Sequence, residues 1–109
     1  MTVKQLREWG ADVDQALVRC LNNEAFYLRL TERTLQDPGF ARLKEAVEAG
    51  NLVQGFEAAH ALKGVLANLA LTPLLRPVAE MTELLRAGTQ TDYAPFLTEI
   101  DTQLKRLNQ

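Results

Sequence analysis

Cysteine, histidine and tryptophan each occur only once among the 109 residues. A lone Cys20 forms no internal disulfide, and one cysteine with one histidine offers no metal-ligand cluster. Cys20 therefore reads as a small apolar packing residue. Neither sign of charge dominates: 12 Lys and Arg stand against 14 Asp and Glu, interspersed, for a net charge of −2. No basic stripe exists of the kind a nucleic-acid binder needs to displace counterions. Long apolar runs are missing too, because Lys63, Asn68 and Arg76 interrupt the richest stretches, and no membrane span is expected. The opening "MTVKQLREWG" lacks the apolar centre of a signal peptide. A reducing compartment, most simply the cytoplasm, is the expectation. Repeats, low-complexity tracts, linkers and convincing period-2 alternation are likewise missing.

Hydrophobic residues make up 47% of the chain, enough to build one core, so a single domain over 1–109 is expected. Their spacing is helical throughout. Val13, Ala16, Leu17, Cys20 and Leu21 predict a helix over roughly 11–21. Asn23 is placed as the N-cap of the next, with Glu24 favourable in its first turn and Phe26, Tyr27 and Leu30 on its apolar face. That helix runs to about 36, where "DPG" at 37–39 breaks or bends it. The pattern resumes with Phe40, Leu43 and Val47 and stops at Gly50. Asn51, with Gln54 three residues on, opens a helix to about 70. Thr72 and Pro73 read as N-cap and first-turn proline of a helix that ends before Gly88, bent near Pro77. A last helix, from about 92, carries Tyr93, Phe96, Leu97, Ile100, Leu104 and Leu107. Short connections favour antiparallel neighbours. The expected fold is all-α: an antiparallel up-down four-helix bundle made of the bent 24–49 unit and the three helices after it, with an additional N-terminal helix. Trp9 docks the N-terminal segment on the bundle in this reading.

The single histidine lies in "AAHALKGVLANLA", residues 58–70. With a rotation of about 100° per residue, Leu52, Phe56, Ala59, Leu62, Leu66 and Leu69 form the buried stripe. His60 falls roughly a quarter-turn from its centre and is expected partly exposed, not core. Its neighbours at helical spacing are Val53, Phe56, Lys63, Gly64 and Ala67. A glycine inside a helix costs about 0.5–1 kcal/mol relative to alanine, so Gly64 needs a compensating role. Room for another body to reach the imidazole is the natural one, with a tight helix crossing as the alternative. A neutral imidazole is a good nucleophile near neutral pH, and Lys63 would offset the charge of an arriving phosphoryl group. Lys63 can also lay its stem over the core. Phe56 reads as core, and Val53 as the better docking residue. With no glycine-rich nucleotide loop and no G-x-x-x-x-G-K-[ST], the phosphate must come from a docked partner.

"HALKG" at 60–64 followed by "VLANLA" resembles the His-x-Leu-Lys-Gly signature of histidine phosphotransfer (HPt) domains, and the likeness extends in helix order over most of the chain. It implies a four-helix bundle whose histidine takes a phosphoryl group from the aspartate of one response-regulator receiver domain and passes it to another. Carried over position by position, it makes His60 the phosphoacceptor, Lys63 the cation beside the phosphate, and Gly64 the opening for the receiver. Ala67 and Asn68 agree with the family's small and polar choices and join Val53 as docking residues. No cofactor or metal is implied on this chain, since Mg²⁺ belongs to the receiver. Receiver domains, and a hybrid sensor kinase, are the implied partners, and the chain is expected to be a free-standing monomer without autokinase activity. Three departures stand out. Ala70 replaces a frequent glycine, which is expected to matter little because alanine is the better helix former. Val65 replaces a small polar residue. A glutamate common on the following helix falls near Thr82 or Glu83. The competing reading is a non-catalytic helical adaptor that binds a receiver or another signalling partner, and a piece of a larger sensor kinase is a third.

Overall fold

The computed structural model describes residues 1–108. The fold is best built outward from its longest helix, Leu52–Asn68, which is α5 in a chain order of α1 (Val3–Trp9), α2 (Val13–Arg19), α3 (Glu24–Leu35), α4 (Gly39–Glu48), α5, α6 (Thr72–Arg86) and α7 (Ala94–Leu107). Among the described residues there is no strand. Helix α5 packs chiefly on α4 and α6, and α6 packs on α7. The expected bundle of a bent unit and three following helices is thus present. Its core gathers Leu43 from α4, Leu62 and Leu66 from α5, Val78 and Met81 from α6 and Ile100 from α7. Among the described residues no helix is long and apolar enough to cross a membrane.

Boundary residues act largely as their chemistry dictates. The side chains of Asn23 and Asn51 accept hydrogen bonds from the backbone N–H groups of Phe26 and Gln54, each satisfying one orphan donor of a first turn. The bent unit is two helices, α3 and α4, with Asp37 Oδ1 accepting from Gly39 N at 2.7 Å across the break. Gly39 also permits close packing, since a Cβ there would stand 3.1 Å from Leu62 Cδ2 on α5. Helix α6 continues through the buried Pro77.

Four details differ from the sequence reading. A first helix, α1, precedes the expected N-terminal one. Its apolar positions are few, but a reciprocal capping box between Thr2 and Gln5 nucleates it, and Trp9 Nε1 donates to the Gln103 carbonyl of α7 at 3.0 Å. Leu71, not Thr72, is the N-cap of α6; the Thr72 hydroxyl instead lies 3.5 Å from the Ala70 carbonyl. Helix α7 begins at Ala94, whose N–H donates to Asp92 Oδ1. Ala70, finally, lies beyond the end of α5 with φ +53°. Helix propensity is therefore the wrong measure of the alanine there. A left-handed site costs a Cβ-bearing residue about 1–2 kcal/mol, a strain that glycine would avoid.

That strain is tolerated because the end of α5 is tied down on every side. The Leu71 N–H donates to Leu66 O and the Ala70 N–H to Ala67 O, the paired bonds of a Schellman cap. Arg19 of α2 donates to the carbonyls of Ala67 and Asn68 at 3.1 and 3.0 Å. Tyr27 of α3 donates its hydroxyl to Leu69 O at 3.0 Å, and Asp12 N donates to Ala70 O. Each carbonyl from 66 to 70 thus has a donor, and the cation of Arg19 complements the negative end of the helix.

Candidate functional site: an exposed imidazole on the longest helix

In α5 the buried side is Gly55, Ala59, Leu62 and Leu66, and Leu69 follows just past the helix end. His60 lies off this stripe and is exposed. Side chains of a helix lean toward its N-terminus, so the ring meets the residue one turn before it. That residue is Phe56: the two rings stack with centroids 5.5 Å apart and planes 19° from parallel. Phe56 is half-buried, reaching both the core and the imidazole, so the reading of it as core alone is incomplete.

The turn that follows is bare. A Cβ built on Gly64 would have nothing within 4 Å. The glycine therefore serves no helix crossing, and the space beside the imidazole is open to solvent. By contrast Gly55, on the buried side, would bring a Cβ to 3.3 Å from both Leu85 and Val47. Ala67 and Asn68 are exposed on the next turn, their side chains outward and their carbonyls engaged by Arg19. Val53 is 72% exposed, and Val65, at 39%, adds a second apolar side chain that the sequence reading treated only as a departure. Val65 also lines a groove between α4 and α5, together with Arg42, Glu45, Glu57, Ala58 and Ala61.

Charge near the ring comes from two helices. Lys63 is half-buried, and its Nζ stands 3.6 Å from Glu83 Oε1 on α6. The other carboxylate oxygen of Glu83 lies 3.4 Å from Arg86 Nε, and the Arg86 guanidinium carbon sits 4.9 Å from the centre of the Phe56 ring. Exposed contacts of these kinds are each worth up to about 1 kcal/mol, so they position groups more than they stabilise the fold. Glu83 is thus shared between the Lys63 ammonium and the Arg86 guanidinium. Of the two α6 residues singled out by resemblance, Glu83 faces this site. Thr82 is fully buried and donates its hydroxyl to Val78 O at 2.7 Å. Glu83, Arg86 and Phe56 were not in the expected site. The helical spacing of Phe56 from His60, and the resemblance that pointed to Thr82 or Glu83, were visible beforehand; Arg86 was not. Among the described residues no three His, Cys, Asp or Glu side chains converge as a metal site.

The structure is thus a helical bundle that presents one exposed imidazole on its longest helix. The family model described as the Hpt domain matches residues 27–109, well over half of the chain, and the chain belongs to that family. Helices α1 and α2 lie before the matched residues. No curated protein and no solved structure matches the chain. Family membership carries a histidine phosphotransfer role in a phosphorelay.

Proposed function

We propose that the chain carries a phosphoryl group on His60 between the aspartates of receiver domains. The observation that supports this most is the combination at one spot of an exposed imidazole, a glycine that leaves one side open, and a lysine one turn away. A ring nitrogen, Nε2 by family resemblance, attacks the phosphorus of a receiver's phosphoaspartate in line. The P–N bond forms as the P–O bond to the aspartate breaks, and the carboxylate leaves with the electron pair. The reacting tautomer keeps its proton on the other ring nitrogen. Catalysis of such a transfer is mostly positioning and charge stabilisation. Lys63 supplies charge from this side, and the receiver brings Mg²⁺ and its own catalytic groups, so this chain needs no cofactor. The step is reversible, because both phosphorylated side chains are energy-rich. The receiver docks over Gly64, Ala67, Asn68 and Val53, with Val65 at the edge of the same surface, and the chain acts as a monomer in the cytoplasm.

The test mixes the chain with a phosphorylated cognate receiver and follows the label. Acid-labile label is expected on the wild type and none on His60→Gln. Lys63→Ala should slow transfer with an unchanged thermal melt. Equal labelling of the wild type and His60→Gln would overturn the proposal, and receiver binding that is indifferent to His60, without any transfer, would instead favour the adaptor role.

A further inference from the structure

We infer that Phe56 is a positioning residue for His60, with Arg86 as its backing. The inference rests on the phosphotransfer reading, but it concerns what aims the ring. An exposed imidazole usually samples several rotamers, and orientation matters steeply to an in-line attack. Among the described residues, neither ring nitrogen of His60 has a hydrogen-bond partner, so no acceptor fixes the ring's direction. Its defined contact is the near-parallel stack on Phe56. Phe56 in turn is anchored by partial burial against the core and by the Arg86 guanidinium near its ring. Arg86 is held by Glu83, which also meets Lys63. The contacts therefore run in series: imidazole, phenyl ring, guanidinium, carboxylate and ammonium.

The chemistry explains why a stack serves here better than a hydrogen bond. A carboxylate accepting from one ring nitrogen would fix the tautomer, but it would also place negative charge beside an arriving phosphoryl group. A phenyl face restricts rotation while leaving both nitrogens free and adding no charge. Because the stack occupies the N-terminal side of the ring and Gly64 leaves the C-terminal side empty, the imidazole presents its free side toward Gly64, Ala67 and the receiver.

Three variants of the full chain test this: Phe56→Leu, which keeps apolar volume without an aromatic face, Phe56→Tyr, which restores that face, and Arg86→Gln. Each is assayed for transfer from a phosphorylated receiver at saturating concentration, for receiver affinity, and by proton NMR of the His60 ring. For Phe56→Leu, transfer at saturation is expected to fall about tenfold with receiver affinity unchanged, since a misaimed group loses rate rather than binding. Its His60 ring protons should move downfield as the ring current disappears. Phe56→Tyr should recover both, and Arg86→Gln should lose roughly threefold in rate, the size of one exposed cation–π contact. Wild-type rates and unshifted imidazole protons in Phe56→Leu would overturn the inference. A wild type that takes no label would count against the phosphotransfer reading itself, while the NMR shifts would still decide whether Phe56 orders the ring.

Discussion

Glycine has opposite meanings at two positions that differ only in what surrounds them. At Gly39 an added methyl would meet Leu62 of α5 at 3.1 Å and Asp37 Oδ1 at 2.8 Å. At Gly64 it would meet nothing. Gly39→Ala is therefore expected to lower stability by about 1–3 kcal/mol through overpacking. Gly64→Ala should raise it by about 0.5–1 kcal/mol, the ordinary gain at an open helix position, and at the same time slow transfer from a receiver. Urea unfolding of both variants, with a transfer assay on the second, checks the pair. A loss of stability at Gly64→Ala would mean that the glycine is needed inside the bundle and not for an outside body. The exposure of His60 and the open side at Gly64 were legible because both follow from spacing along one helix, while the roles proposed for them and for Lys63 come from resemblance. Glu83 was reached only as one of two α6 positions suggested by resemblance, and Arg86 not at all: both come from α6, and their register against α5 depends on tertiary packing that periodicity does not encode. Phe56 was half legible. The helical wheel gives its angle but does not tell a core aromatic from one shared between core and surface.

Element ends decide how firmly α5 holds its reacting group. Helices α4 and α6 close on Gly50 and Gly88, at φ +74° and +69°, and both glycines were readable as stop signals. Helix α5 closes on Ala70, where the resemblance pointed to a frequent glycine but helix propensity was the wrong guide, because the conformation is imposed by a Schellman cap and by donors from distant helices. Tyr27 is the clearest of these donors. It is fully buried, and its hydroxyl is the donor to Leu69 O. Tyr27→Phe would leave that carbonyl without a partner and is expected to cost about 1–2 kcal/mol, measurable by thermal or urea unfolding with no change in helix content. An effect near zero would show that the cap does not depend on this bond. The start of α6 was misplaced by one residue, since Thr72 is a good N-cap type whose hydroxyl turns toward the Ala70 carbonyl instead. Such one-residue choices depend on local geometry more than on residue type.

The whole molecule is an elongated bundle, 41 Å in its longest extent. The core and helix order of that bundle could be read from periodicity. That Trp9 docks the N-terminal segment on the bundle was readable too, but its partner, the Gln103 carbonyl of α7, and the separate helix α1 were not, because they depend on a long-range contact and a local cap. Its response to pH follows from two tyrosines. Burial raises the pKa of Tyr27, and desolvation likewise raises that of Tyr93. A raised pKa means that the folded state holds its proton longer than the unfolded chain does. This contribution to stability is complete below the ordinary tyrosine value of about 10 and is lost as pH climbs through the raised folded values. On the acid side, the hydrogen bond from Arg7 lowers the Asp14 pKa, and that contribution fades as pH falls through the lowered value. Since this pair lies at the surface, the acid limb should be shallow. Chemical denaturation across the pH range should show an alkaline fall that is smaller in Tyr27→Phe; an identical fall in the variant would remove Tyr27 from the account.

The central claim is that one nitrogen of one imidazole becomes covalently phosphorylated by a partner protein. The most direct measurement is phosphorus NMR of the chain after exposure to a phosphorylated receiver, with the site located by correlation to the imidazole protons. One acid-labile phosphoramidate is expected, on a His60 ring nitrogen, and it should disappear when an unphosphorylated receiver is added. Persistent label on any other residue, or none at all from a receiver that binds, would contradict the claim.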